Sequence, residues 1–294
     1  MKEAAPKPLL WRRLGSSTLR IALAVLVLLQ AYIYATQDGM IFFPQPLSED
    51  VQGMVRQARR DAEEITLTTT DGNRLRGWFV RNSNAPSAPA LIYFGGNAEE
   101  VSGLALEADE LRGISFVLIN YRGYGKSDGA PGESALFRDA LAIYDLIAAR
   151  TGVDRKRIVA MGRSLGSGVA TYLASQRPLA AVVLVTPYDS MTAVARAKYP
   201  FVLVDLLLRH PFDSVSRARS VDAPLLALIG GADTVIPPRH AEHLAAAWRG
   251  PVTSITLKDA DHNDIEIHPR YWPSMRDFLK RNGVLNQKAD ITQQ

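Results

Sequence analysis

Cysteine is absent from this 294-residue chain. That excludes disulfides, a thiol nucleophile and thiolate-bound metals, and it is compatible with an oxidising compartment. A basic face is absent too, although the formal net charge is +4. Of 34 basic and 30 acidic side chains, five basic (Lys2, Lys7, Arg12, Arg13, Arg20) and one acidic (Glu3) lie in the first twenty residues, leaving 29 of each in the rest. The remainder is neutral, so nothing calls for a nucleic-acid partner. No Pro/Gly/Ser-rich stretch divides the chain and no repeat recurs at solenoid periods, which leaves little support for a second independent domain. With 47% apolar and 22% charged residues, the composition is that of a globular protein with a sizeable core.

Long apolar runs are scarce as well, with one exception. "IALAVLVLLQAYIYA", Ile21 to Ala35, comes directly after the basic arm. Fifteen residues make a helix of about 22 Å, short of a hydrocarbon core of roughly 30 Å. Leu14 to Leu19 extend it, Arg20 can snorkel, and Tyr32 and Tyr34 suit an interface. A basic arm before an apolar run also describes a signal peptide, but cleavage after Ala35 would put bulky Ile33 three residues before the cut. The reading is an uncleaved anchor over 21–36, with the N-terminus cytoplasmic and the rest of the chain on the outer side; secretion after cleavage is the alternative. A core helix of a soluble protein fits less well, because of the concentrated basic arm. The expected division is a basic arm over 1–20, the anchor, a connector over 37–60, a domain over 61–285 and a polar tail over 286–294.

Beyond the anchor the chain alternates between strand and helix patterns. "EITLTTTDGNRLRGWFV" is two β-rich runs around Asp71-Gly72, a hairpin signal. Strands are then expected at 90–95, 115–120, 157–162, 181–186, 224–230 and 252–257, with helices at about 99–111, 133–150, after 164 and at 238–248. Continuous apolar strands separated by helices predict an α/β fold: a mostly parallel sheet covered on both faces, with the hairpin at one edge. The long interval between strands 181–186 and 224–230 contains "YPFVLVDLLLRHPF". A helix apolar all round, inserted there, is either a small cap at about 190–222 or a crossover helix in the core.

In such a sheet, ligands bind at the carboxyl ends of strands. After "RIVAM" stands Gly162-Arg163-Ser164-Leu165-Gly166. A sharp strand-to-helix turn lifts Ser164 above the sheet, and the glycines permit the crowding. A serine needs a base to take its proton. Five histidines are present, and His262 in "KDADHNDI" stands just past the last strand, where a loop can hang its ring over Ser164. His268 is the runner-up, read as a surface residue at a helix start; His210 falls in the cap; His240 and His243 read as a solvated helix face. The carboxylate that fixes the imidazole is expected at Asp233, after the penultimate strand. Asp189, Asp259, Asp261 and Asp264 are the rivals, with loop hydrogen bonding or capping sufficient for each. Backbone donors for an oxyanion are expected from Leu165 and from Asn97 in the Gly95-Gly96-Asn97 loop.

The sequence resembles the α/β-hydrolase superfamily, and within it the Bem46-like, ABHD13- and ABHD17-like branch of serine hydrolases. "YFGGNAEEV", "NYRGYGKSDGAPGESALFRDALAIYDLI", "MGRSLGSGVA", "IGGADTVIP" and "DADHND" match its pattern in order, over about residues 40–282. The resemblance implies an N-terminal membrane segment leading into a connector such as "IFFPQP", and a structural role for Arg122 in tying loops together. One departure is Gly95, where the branch usually has histidine. The expected activity is cleavage of an ester, thioester or amide of a small-molecule or lipid-like acyl substrate through an acyl-enzyme, with no metal or organic cofactor. A peptidase or acyltransferase on the same residues, and a non-catalytic scaffold on the same fold, are the alternatives.

Overall fold

Side chains from every core strand pack on two sides, which is why these strands are written without polar alternation. The computed structural model describes residues 10–82 and 85–286. The first residues of the basic arm and most of the polar tail lie outside them.

One eight-stranded sheet organises the chain. It comprises a hairpin of β1 (Ala62–Thr68) and β2 (Arg74–Val80), then β3 (Ala88–Phe94), β4 (Ser115–Ile119), β5 (Val153–Arg163), β6 (Ala181–Val185), β7 (Leu225–Gly230) and β8 (Val252–Leu257), in the spatial order β1-β2-β4-β3-β5-β6-β7-β8. β2 is antiparallel to both of its neighbours and every other pairing is parallel. Along β3, Leu91 and Tyr93 enter one buried cluster while Ile92 and Phe94 enter the other. The α/β fold, the parallel sheet and the edge hairpin are therefore as the sequence implies. β5 starts four residues earlier than the sequence suggests, and Val101–Leu111 winds as a 3₁₀ helix.

The helices are α1 (Leu10–Ile41), α2 (Glu49–Ala58), α3 (Glu133–Ala148), α4 (Leu165–Gln176), α5 (Met191–Lys198), α6 (Val204–Leu207), α7 (Ser214–Ala218), α8 (Pro238–Ala247) and α9 (Tyr271–Arg281). α1 runs further than the apolar stretch within it, taking in residues 37–41 that read as connector. Nothing in the sequence pattern singles out α2. Its start is set by Ser48, whose hydroxyl accepts the Val51 N–H, with Glu49 and Asp50 in the first turn. Thr18–Ile41 has a mean hydropathy of 1.8 and is almost bare, with Leu19, Ile21, Leu28 and Tyr32 all exposed.

The insertion between β6 and β7 is not one helix. Three short helices, α5, α6 and α7, are joined by irregular segments; α5 and α6 line a cavity that reaches Ser164, whereas α7 packs on α4 and α8. Pro200 and Pro211 interrupt what would have been a continuous run.

Candidate active site

β5 ends at Arg163 and α4 begins at Leu165, so the whole change of direction falls on Ser164. Its backbone sits at φ 50°, ψ −118°, a region that costs a non-glycine residue roughly 1–3 kcal/mol. The strain is held from both sides. The Ser164 N–H donates to the Val185 carbonyl (2.9 Å), and its own carbonyl accepts from the Ser167 N–H (2.9 Å) and hydroxyl (2.7 Å). A Cβ on Gly162 would overlap the Gly166 carbonyl, and one on Gly166 would overlap the Phe94 carbonyl. The two glycines are thus what lets α4 cross against β5 and β3.

His262 lies five residues past the end of β8. Its loop is fixed by Asp261, whose Oδ1 accepts the N–H groups of His262 (2.7 Å) and Thr234 (3.2 Å), and by Asp264, which accepts the Asp261 N–H (2.6 Å). The imidazole Nε2 stands 2.9 Å from Ser164 Oγ and Nδ1 stands 2.7 Å from Asp233 Oδ2. Asp233, in the turn after β7, uses its other oxygen to accept from Val235 N–H (2.9 Å) and Ile236 N–H (2.7 Å). An ionised carboxylate only accepts, so Nδ1 carries the ring proton and Nε2 is left to accept from the serine hydroxyl. All three side chains are buried.

The Gly95-Gly96-Asn97 loop leaves the end of β3 and passes beside Ser164. The Asn97 carbonyl is turned away, accepting from Phe43 N–H (2.9 Å) and Tyr124 Oη (2.6 Å). The Gly96 N–H donates to Glu99 Oε2 at 2.7 Å. Among the described residues neither the Asn97 N–H nor the Leu165 N–H makes a hydrogen bond. They are two backbone donors left beside the serine.

Glu99 carries no signal in the sequence, yet it organises this loop. Besides Gly96 it accepts from Tyr93 Oη (2.7 Å) and lies 3.5 Å from the Arg163 guanidinium. A side chain on Gly95 would collide with Val101 Cγ1 (2.8 Å) and crowd the Glu99 carboxylate (3.2 Å). Burial, reinforced by the Glu99 charge, holds the Tyr93 hydroxyl well above its ordinary range, so it remains a donor.

The rival acids and bases are engaged elsewhere. Asp189, just past β6, accepts from Nδ1 of His240 (2.9 Å) and of His243 (2.8 Å). Burial pushes the Asp189 carboxyl up, but these bonds and the Ser190 N–H outweigh it and leave it below its ordinary value. The reading of His240 and His243 as a solvated face needs correction: His240 is 4% exposed, drawn inward by Asp189, while His243 stays at the surface. His210 bridges Asp38 (3.0 Å) and the Glu133 N–H (3.2 Å), and His268 accepts from the Arg270 N–H. Arg122 ties loops, as the resemblance implies: it pairs with Asp139 (2.6 Å) on α3 and with Asp71 (2.5 Å) in the hairpin turn.

Two cavities meet at Ser164 and His262. One, of about 310 Å³, is apolar and runs between α1 (Ile33, Met40, Ile41) and the insertion (Val194, Val202, Leu207). The other, of about 340 Å³, lies across the serine and is lined by Glu99, Glu107, Arg163 and Glu266.

A serine on a strained strand-to-helix corner of a mostly parallel sheet, with a histidine after the last strand, defines the α/β-hydrolase architecture. The chain has the α/β-hydrolase fold, and the profile of that fold matches residues 89–213. It is 36% identical over 260 residues to Rv2307c, an uncharacterized protein of Mycobacterium tuberculosis, covering 87% of this chain and 92% of that one. YNL320W of Saccharomyces cerevisiae, named as an uncharacterized membrane protein, is 30% identical over 76% of this chain and 81% of its own length. Among solved structures, the Pyrococcus furiosus esterase Pf2001 superposes with a TM-score of 0.63 at 21% identity, over 82% of this chain and 98% of that one.

Proposed function

We propose that this protein is a membrane-anchored serine hydrolase of the Bem46-like branch, which cleaves an ester, thioester or amide through an acyl-enzyme. The observation that carries the reading is the buried chain Ser164 Oγ–His262 Nε2 (2.9 Å) and His262 Nδ1–Asp233 Oδ2 (2.7 Å) at a strained corner. His262 takes the Ser164 proton as Oγ bonds to the acyl carbon. Asp233 keeps the ring in the productive tautomer and stabilises the imidazolium. The carbonyl oxygen, now an oxyanion, accepts from the Leu165 and Asn97 N–H groups. His262 then gives its proton to the departing oxygen, sulfur or nitrogen as that bond breaks. Water reverses the sequence: it loses a proton to His262, attacks the acyl carbon, and Ser164 leaves with the proton returned.

The apolar cavity against α1 supports an acyl chain as the substrate's larger part, and the polar cavity supports a hydrophilic leaving group. The bare apolar surface of Thr18–Ile41 supports an anchor, with the basic arm cytoplasmic, the domain over 61–285 on the outer side, and a cap over 190–222. The test is labelling of the purified protein with a fluorophosphonate, comparing wild type with Ser164→Ala and His262→Ala. Labelling lost in both variants is expected. Labelling that survives Ser164→Ala refutes the assignment, and a folded wild type that does not label refutes the hydrolase reading.

A further inference from the structure

Two glutamines interrupt the apolar face of α1, and both are buried although the other side chains of Thr18–Ile41 are mostly bare. They are seven residues apart, hence on one face. Gln30 Nε2 donates to the Phe201 carbonyl (3.1 Å) and Gln30 Oε1 accepts the Leu203 N–H (3.0 Å). Gln37 repeats the arrangement: Nε2 donates to the Leu207 carbonyl (3.0 Å) and Oε1 accepts the Arg209 N–H (2.7 Å). Segment 201–209 is therefore laid along α1, clasped at both ends through its backbone. Apart from the four residues of α6 it has no regular structure, so these bonds satisfy groups that no ladder reaches.

One clasp sits deep and the other at the edge. Gln30 is eight residues before Asp38, about 12 Å along the helix and well inside a hydrocarbon core of roughly 30 Å, whereas Gln37 is next to Asp38. In water, four such bonds would be a minor convenience, because solvent would serve the same backbone groups. In lipid no solvent is available, and irregular backbone persists only where protein partners satisfy it. The side chains agree. Phe201 is 82% exposed, Leu206 78% and Leu203 59%, beside the exposed apolar surface of α1. Of the two charged residues of 199–209, Asp205 pairs with the Arg196 guanidinium (Nε–Oδ2 2.9 Å) and Arg209 is the last, at the end nearest the domain. Where α1 meets the domain the contacts turn ionic, with Asp38 pairing Arg209 (2.9 Å) and His210 (3.0 Å), as expected at a water boundary.

We infer that segment 199–209 is inserted in the same bilayer as α1, and that the apolar cavity between them takes a single acyl chain of a membrane lipid, entering sideways from the bilayer. The inference rests on the proposed anchor and on Ser164 as nucleophile. The cavity is lined by both elements and ends at Ser164 and His262, so a chain lying there delivers its carbonyl to the serine. At about 310 Å³ and lined mainly by apolar side chains, the cavity has room for an acyl chain. Ile33, Met40 and Ile41 make α1 one wall of the substrate site.

The absence of cysteine makes the test direct. Full-length Phe201→Cys and Leu206→Cys, and Val252→Cys at the far end of the sheet as control, are labelled with an environment-sensitive fluorophore and placed in nanodiscs with nitroxide-bearing lipids. Blue-shifted emission, quenched at 201 and 206 and not at 252, is expected. Unquenched, water-like emission at 201 and 206, in samples whose serine still reacts with fluorophosphonate, overturns the insertion and leaves the hydrolase reading standing. Quenching without serine reactivity upholds the insertion and overturns delivery of the acyl chain to Ser164. A second arm compares decanoyl with acetyl ester turnover in wild type and in the double variant Gln30→Leu, Gln37→Leu. The ratio of the two kcat/KM values is expected to fall at least tenfold; an unchanged ratio refutes the clasped groove as the acyl site.

Discussion

Replacing Asp233 by asparagine exchanges one heavy atom and keeps their number, which makes it the cleanest perturbation of the site. The amide oxygen of Asp233→Asn keeps the bonds from the Val235 and Ile236 N–H groups, so the turn after β7 has no cause to move. The amide nitrogen, however, replaces the oxygen 2.7 Å from His262 Nδ1. It donates, so Nδ1 must accept, and the ring proton moves to Nε2, 2.9 Å from Ser164 Oγ. A hydroxyl facing an N–H has no base. Where this exchange has been made in serine proteases the loss is about 10⁴-fold, which corresponds to about 5 kcal/mol of transition-state stabilisation at roughly 1.36 kcal/mol per decade. The rate of fluorophosphonate labelling should fall by about that factor while the melting temperature stays within a degree or two of wild type. Asp233→Ala is the contrast: it also strands the two N–H groups, at about 1–3 kcal/mol each, and should melt lower. An Asp233→Asn protein that labels within tenfold of the wild-type rate refutes the argument that this carboxylate sets the tautomer.

Three further outcomes test the packing. Gly166→Ala places a methyl against the Phe94 carbonyl, with the Gly95 carbonyl 2.6 Å away; since both are backbone, the corner must open, at about 1–3 kcal/mol or more, and serine labelling should drop with stability in urea titrations. Arg122→Ala leaves the buried Asp139 carboxylate without its cation, for an expected loss of about 3–5 kcal/mol in chemical denaturation; Arg122→Ala with Asp139→Leu should recover part of it, and a double variant no more stable than the single would contradict the ion-pair account. Asp189 ionises below its ordinary value in the folded state, so its contribution is complete above an unfolded value of about 3.9 and is lost as pH falls through the still lower folded value. Wild type should therefore shed, as pH falls below about 4, a component of unfolding free energy that Asp189→Asn never has; a difference between the two that stays constant as pH falls below about 4 would count against it.

The legible parts of the sequence are those that are local or repeat with a period. The strands stand out because both of their faces are packed, and Ser164, Asp233 and His262 because each lies just past a strand on the side where ligands bind. Their meeting requires only that the strands be parallel. The illegible parts depend on pairs far apart in the chain. His240 looks like a surface histidine because its helix shows no strong apolar stripe; Asp189, 51 residues earlier, is what draws it inward. Glu99 carries no motif of its own, and its place is defined by the Gly96 N–H and the Tyr93 hydroxyl. Gln30 reads as a blemish in an apolar run and Gln37 as the start of a connector, since their partners lie about 170 residues later or more. α2 hides in a stretch that looks like polar linker.

The contact between α1 and the insertion bears on how such a protein is brought to the bench. The habitual remedy for a chain with an apolar leader is to delete the leader and express the water-soluble remainder. Begun after Ile41, that remainder would keep Ser164, Asp233 and His262 in their elements, but it would lose Ile33, Met40 and both glutamines. The groove would be left open along one side and segment 201–209 without its clasps. A substrate screen on the trimmed protein would survey a wider, wetter pocket than the whole chain possesses, and short, soluble esters would look better in it than they are.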